Sequence, residues 1–466
     1  MKVENKFRAS FLSIFDNPLK FSWISILSII TNFTIITKKI NEFDLNININ
    51  LLIIILLLFF IICIIIYNFI IWRISRFEIN DKMITVYKNI FIKDKKEFRI
   101  KNIANICVSK NIFERIFNLT KVRIFVNEKN KRFCNFDVIV NRKVFDKYLL
   151  PFFTKNNINI YIEDNKEKYK IKFNFLDILK HSFFSIPISS IIIINFILLL
   201  FSMISNGTLI KQIMYNFLGL IITLVGFILP VIYSMLKNII KYINFSITRK
   251  SEYIFLSYGL FTKKQYIIPV SKINGLIIDV SILPKLFGCY KLNIIIPGIG
   301  DKKSELYMLF PISRKNKCRD ILNIILPEYN IEMEYKNQPY ESIIIIGIKM
   351  MVVMLVLIIP LIYVDVKISF YLSLALFSLI FLVYFVKRTI ISDKYIAVIN
   401  GIFVKRIRII NYSRIESVKI SEGIFSKKLG ICKMYMYILA DIRNARISSG
   451  YIKKKYLYKI CENVLK

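Results

Sequence analysis

The chain has 466 residues, enough for about three domains. Its 55% hydrophobic content and mean hydropathy of +0.53 exceed what a soluble domain carries. Lysine and arginine number 68 against 31 aspartates and glutamates, a formal net charge of +37. Coding bias toward A and T would enrich glutamate as readily as lysine, so the excess points to insertion signals and an anionic partner.

The first predicted elements are two apolar segments, 21–37 and 51–72, joined by 38–50. Each approaches the ~20 residues that cross a ~30 Å hydrocarbon core as a helix. No small-residue cleavage site follows the first, so it is not read as a leader. Arg73 and Arg76 come next and open a long polar region. The arrangement then recurs: 183–205 and 213–236, joined by 206–212, precede Lys237 and Lys241. A third pair, 343–364 and 368–386, joined by 365–367, precedes Lys387 and Arg388. Basic flanks on one side only predict a multi-pass protein of the cell membrane, with the long regions and both termini cytoplasmic. Inside the segments the clear ionisable intruder is Lys349, placed to snorkel to the cytoplasmic face. Coupled transport, which needs ionisable groups at mid-membrane, is disfavoured.

The three polar regions are copies of one module. Twelve residues after Phe91, Phe261 and Phe403 stand Ile103, Ile273 and Ile415. Fourteen further are Phe117, Phe287 and Leu429, and four after those Lys121, Lys291 and Lys433. Ten residues before each phenylalanine, Asp81, Ser251 and Asp393 open a strand-like run. In the second copy short β-branched runs (YIFLSYG, KKQYIIPVSKI, GLIIDVS, KLNIIIPG) are broken by turn residues, which predicts an antiparallel sandwich. A helical pattern closes each copy: NRKVFDKYLL near Asn141, SRKNKCRDILNIIL from Ser313 and KKKYLYKICENVL from Lys453. A small antiparallel sandwich capped by a C-terminal helix is the pleckstrin-homology (PH) architecture.

Two apolar spans followed by G-(I/L)-F, a basic residue with isoleucine, and L-F/L-G resemble the YdbT-like family, bacterial membrane-flanked PH-domain proteins. The second copy shows GLF at 259–261, SKI at 271–273 and KLFG at 285–288; the third shows GIF at 401–403, SRI at 413–415 and KLG at 428–430. The first copy departs, with Asn89 and Asn118 in place of the two turn glycines. Asparagine tolerates positive φ best among the other residues, so the turns are expected to survive. The resemblance implies the envelope of a Gram-positive-type bacterium and, in some members, a link to antimicrobial-peptide stress. It implies no chemistry.

The expected fold class is an integral membrane α-helical bundle of six spans in three pairs, plus three cytoplasmic PH-like β-sandwich domains, each with a C-terminal helix. The boundaries are 1–72 (N-terminus and first pair), 73–182 (first PH-like domain and linker), 183–236 (second pair), 237–342 (second PH-like domain and linker), 343–386 (third pair) and 387–466 (third PH-like domain). No catalytic residue, cofactor or metal site is expected, and the chain is not expected to be an enzyme. His181 stands alone at a segment edge, and Gly298 and Gly300 lack the GK[ST] of a phosphate loop. Glu163–Asp164 and Glu332–Glu334 read as solvated faces. The seven cysteines have no ligand spacing and read as small apolar fillers.

The leading functional expectation is a scaffold that presents three binding modules to the inner leaflet and gains affinity by avidity. The alternative is a transporter or export accessory protein. Candidate contacts to anionic lipid or a partner are Lys263, Lys264, Arg314, Lys315, Lys317, Lys405, Arg406, Arg408, Lys453, Lys454 and Lys455. For any one of them, plain solvated or topological charge is an equal reading. A second membrane-flanked PH-domain protein is allowed for as a partner; nucleic acid is not, for want of any helix-turn-helix, finger or knuckle pattern.

Overall fold

The computed structural model describes residues 6–15, 49–80, 82–89, 93–126, 135–155, 170–185, 217–297, 307–329, 336–362, 384–401, 404–440 and 445–465. They fall into two compact units, one from Met1–Val126 with Cys134–Asn165, the other from Asn127–Phe133 with Lys166–Lys466.

The first unit holds the first module. Strands β1 (Lys6–Phe7), β2 (Arg76–Asn80), β3 (Met83–Asn89) and β4 (Lys93–Arg99) pair antiparallel in that order. β5 (Ile103–Lys110), β6 (Leu119–Val126) and β7 (Asn135–Asn141) also pair in sequence order. Aromatic rings join the two layers: Phe136 of β7 meets Phe77 of β2 at 5.5 Å and Phe98 of β4 at 5.8 Å, both edge-on. The closing helical segment adds Phe145, Leu149 and Phe153 to the buried set.

In the second unit β8 (Lys170–Lys172), β9 (Ser246–Lys250), β10 (Tyr253–Tyr258) and β11 (Lys263–Pro269) form the first layer of the second module. Its second layer is β12 (Gly275–Ser281), β13 (Cys289–Ile295) and β14 (Tyr307–Arg314). This layer does not stop at the module boundary. β12 pairs antiparallel with β18 (Val404–Asn411), and through it with β17 (Tyr395–Asn400), β16 (Arg388–Ile391) and β15 (Lys336–Asn337). The result is one seven-stranded sheet shared by the second and third modules. At its seam a Cβ on Gly275 would sit 2.6 Å from the Ile409 carbonyl oxygen, so glycine is what lets the strands approach.

The last three strands, β19 (Ile415–Ser421), β20 (Ile431–Ile438) and β21 (Arg446–Lys453), and the helix Lys454–Leu465 close the third module. β20 reads ICKMYMYI, and its alternation turns Cys432, Met434, Met436 and Ile438 inward. They pack with Ile396, Val398 and Ile410 of the shared sheet and with Ile460 of the helix. The marker isoleucines Ile103, Ile273 and Ile415 are all buried, each at the entry to the module's second layer.

Turn chemistry follows the repeat at one position and departs at the other. Asn118, Gly288 and Gly430 all adopt left-handed backbone, φ 52°, 62° and 64°. Gly259 and Gly401, at φ 109° and 104°, leave their hairpin ladders after Tyr258↔Lys264 and Asn400↔Arg406. Asn89 instead stays in the ladder, paired with Lys93, so the first hairpin runs one pair longer.

The six-span bundle is overturned. The segments predicted at 51–72, 213–236 and 343–364 coincide with the helices Ile49–Ile74, Phe217–Tyr242 and Glu341–Ile362. Among the described residues, however, no helix is long and apolar enough to cross a membrane. The physical reason lies in what their described turns do, which is partly domain packing. Trp72 donates from Nε1 to the Ala9 carbonyl at 2.9 Å and stacks edge-on with Phe11. The helix Phe217–Tyr242 lies along the helix Phe175–Phe184 and carries Lys237 and Lys241. Ile345 and Ile346 are buried against Ile431 and Tyr451 of the third module. The segments 21–37 and 368–383, and 183–205 beyond Ser185, lie outside the described residues, as do Asp81, Phe91, Phe403, Glu163–Asp164, Gly298, Gly300 and Glu332–Glu334.

Candidate functional site: basic clusters and exposed apolar corners

The predicted contact residues divide by what already holds them. Arg406 donates from Nε to Asp279 Oδ1 at 2.8 Å across the β12–β18 seam, and Asp279 also accepts from Asn293 Nδ2 at 2.9 Å. Arg408 is half-buried on the same strand; burial, then the charge of Arg406, holds its guanidinium below the usual range. Lys405 is lowered too, by burial and then by Arg388 and Lys285. Lys317 pairs with Asp177 at 2.7 Å, Lys453 with Glu341 at 3.1 Å and Lys454 with Glu422 at 2.9 Å. Half-exposed pairs of this kind contribute about 0–1 kcal/mol each, so they position elements more than they hold the fold. Lys263, Arg314, Lys315 and Lys455 are exposed, and Lys264 is half-buried in β11. Arg406, Lys317, Lys453 and Lys454 are thus engaged within the fold, and Lys263, Arg314, Lys315 and Lys455 face solvent.

Sequence reasoning missed a second feature, which the structure repeats in every module. The strand pairs β5–β6, β12–β13 and β19–β20 are joined by one-turn helices, Ile112–Ile116, Ile282–Leu286 and Ile424–Lys428. The left-handed residue that follows each (Asn118, Gly288 or Gly430) reverses the chain so that the turn projects from the sheet. Large apolar side chains stand out there: Phe113 is 70% exposed, Leu286 76% and Ile424 78%, with Ile116, Phe117, Phe287 and Phe425 also exposed. Arg115, Lys285, Lys427 and Lys428 occupy the same turns. The readable signal was the marker position Phe117/Phe287/Leu429, exposed in the first two modules and packed against the helix Glu341–Ile362 cluster in the third.

A third feature adjoins the third corner. Lys433, on β20, holds its Nζ 4.7 Å above the ring of buried Tyr451. The Tyr451 hydroxyl accepts from Lys349 Nζ at 3.3 Å. Tyr451 is fixed from behind: its backbone N–H donates to Gln338 Oε1 at 2.9 Å, and Gln338 Nε2 donates to the Tyr384 carbonyl at 2.8 Å. Gly450 leaves room for Gln338, whose side chain a Cβ would meet at 2.9 Å. Half-burial, followed by the charges of Lys387 and Lys349, pushes the Lys433 ammonium down to about 8. The matching lysine of the second module, Lys291, acts with Lys241 on His181. That histidine is 1% exposed, edge-on to Tyr242 at 5.1 Å, and its Nδ1 accepts from the Ile312 N–H at 3.4 Å. Burial, then Lys291 and Lys241, holds it well below the usual imidazole range. His181 is a neutral packing residue. In the first module Lys121 is paired with Asp137 at 3.7 Å.

Among the described residues no three His, Cys, Asp or Glu side chains converge as a metal site would require. Burial pushes the Cys318 thiol up to about 12 and Cys432 to about 11, which keeps both in the unreactive thiol form.

The bacterial PH domain family matches the chain three times, over residues 26–140, 195–329 and 321–449. These matches cover most of the sequence, one for each sandwich described above, and the chain belongs to that family. It is also similar to the UPF0699 transmembrane protein YdbT of Bacillus subtilis (strain 168), with 31% identity over 144 residues. That alignment covers 30% of this chain and 29% of the relative, so the chain spans under a third of the relative it matches. No solved structure matches.

Proposed function

We propose that this protein is a non-enzymatic, membrane-associated scaffold whose three PH-like modules dock on an anionic lipid surface through their apolar corners. The observation that carries this reading is the recurrence, at one place in all three modules, of exposed Phe, Leu and Ile beside lysine or arginine. An isolated exposed leucine needs no explanation, but a threefold repeated cluster does. Apolar side chains set above a basic rim suit the boundary between acyl chains and anionic headgroups. Each basic residue near such a surface contributes about 1 kcal/mol, and three corners on one chain bind together far better than singly. The name of the Bacillus relative, a transmembrane protein, agrees with work at a membrane.

The test is binding of the full chain to phosphatidylcholine vesicles with and without phosphatidylglycerol. Binding should favour the anionic vesicles, weaken with salt, and fall on changing Phe113, Phe287 and Phe425 to serine together. Substituting Lys263, Lys264, Arg314 and Lys315 with glutamine should weaken it as well. Equal binding by a soluble protein of matched charge would overturn the proposal.

A further inference from the structure

Resting on that membrane-docking reading, we infer that the third module carries a defined headgroup site: Lys349 and Lys433, which both meet Tyr451, hold the phosphate of an anionic phospholipid, with the charge of Lys387 in support. The fold leaves positive charge unanswered beside Tyr451. Lys349 and Lys433 approach opposite parts of one tyrosine, its hydroxyl at 3.3 Å and its ring face at 4.7 Å. Lys387 enters from the residue just before β16 and is close enough, with Lys349, to bear on the Lys433 ammonium. None of the three forms an ion pair among the described residues. The neighbouring carboxylate, Glu341, is engaged by Lys453 at 3.1 Å.

Holding Lys433 half-buried beside two further cations is unfavourable by itself, because burial strips water from its ammonium while the charges of Lys387 and Lys349 disfavour it further. An anion placed among them removes both penalties. Its charge answers the ammonium groups, and its oxygens accept their N–H bonds, which charge assistance strengthens. The Tyr451–Gln338–Tyr384 chain of hydrogen bonds holds the tyrosine in one position, so the site is built before any ligand arrives.

The surroundings select a lipid over a free phosphate. Tyr340, Ile344, Phe385 and Phe425 are all exposed, and the helix Glu341–Ile362 lies against the one-turn helix Ile424–Lys428 of the third corner. Inorganic phosphate has no use for such a rim, whereas a glycerophospholipid brings apolar surface to cover it. The third marker lysine of the repeat, Lys433, is thereby given a role, which its spacing alone did not provide.

The experiment uses the full chain and the same two kinds of vesicle. Lys349→Gln and Lys433→Gln are compared with the control pair Lys143→Gln and Lys170→Gln, exposed lysines outside every proposed contact, and each is checked by thermal melting. Lys349 lies on an exposed helical turn, so its replacement reports on the site even if Lys433→Gln were to disturb β20. Each site substitution should weaken binding to phosphatidylglycerol vesicles roughly fivefold, the equivalent of about 1 kcal/mol. The controls should change it little, and Lys433→Arg should keep it. If site and control variants lose affinity equally, charge acts diffusely and the inference is overturned while the docking reading stands. If the wild type shows no preference for phosphatidylglycerol, the docking reading itself fails. Competition by inorganic phosphate as effective as that by a short-chain phosphatidylglycerol would also overturn the lipid site.

Discussion

At the scale of residues, two side chains titrate in ways that expose their surroundings. His181 is neutral in the folded protein because burial and two lysines disfavour its charge. Its folded pKa lies below that of the unfolded chain, about 6.5. As pH falls past that value the unfolded state takes up a proton that the folded state refuses, so stability declines on the acid side. His181→Gln should flatten that decline in urea melts of the full chain, whereas an unchanged slope would mean the imidazole is solvated. Lys433 behaves in the same sense at higher pH. Its ammonium is lowered to about 8, from about 10.4 when free. Between those values the unfolded chain binds the extra proton, so unfolding becomes easier as pH drops from 10.4 toward 8 and levels off below. Lys433→Met should remove this window and, without lipid, raise the melting temperature at neutral pH. A lysine kept for structure would give the opposite sign.

Among elements, the strands were legible because their signals are local. From Cys432 onward the run ICKMYMYI alternates, and burial follows it. Asn118 stands where the other modules have glycine, and its φ of 52° bears out a substitution tolerable only for asparagine-like residues. The three marker isoleucines are buried, and changing any one to alanine should cost about 2–5 kcal/mol, measured by denaturant unfolding. The β12–β18 pairing was not legible. Strand edges carry no mark of the partner they will take when that partner lies over a hundred residues away, as β18 does from β12. The lysine cluster was hidden for a similar reason. Lys349, Lys387 and Lys433 each stood out in the sequence, as an intruder, a flank and a repeat marker, but no spacing rule brings Lys349 and Lys433 to one tyrosine. Gly275 tests the seam directly. A side chain there meets the Ile409 carbonyl, and Gly275→Val should cost about 1–3 kcal/mol. Limited proteolysis should then show the second and third modules loosening together; loss confined to the second would mean the seam does not couple them.

For the molecule as a whole, hydropathy misled where it was most insistent. Apolarity alone predicts spans, yet the described turns of the three helices among these blocks also serve the domains, through Trp72, Lys241, Ile345 and Ile346. Length and apolarity cannot separate a turn that meets lipid from one that meets a sheet. The repeat, by contrast, was secure because it rested on equal spacing across the chain and not on the character of any one segment.

The shared sheet also changes what can be cut from this protein. The family matches at 195–329 and 321–449 invite excision of a single domain such as 245–329. Such a fragment would end at β12 with nothing beside it, leaving the row of amides and carbonyls that β18 engages from Gly275 to Ser281 open to any passing strand. Bare edges of this kind recruit copies of themselves. The isolated fragment should therefore form oligomers in light scattering as its concentration rises, while a fragment reaching from Lys166 to the end keeps that edge covered.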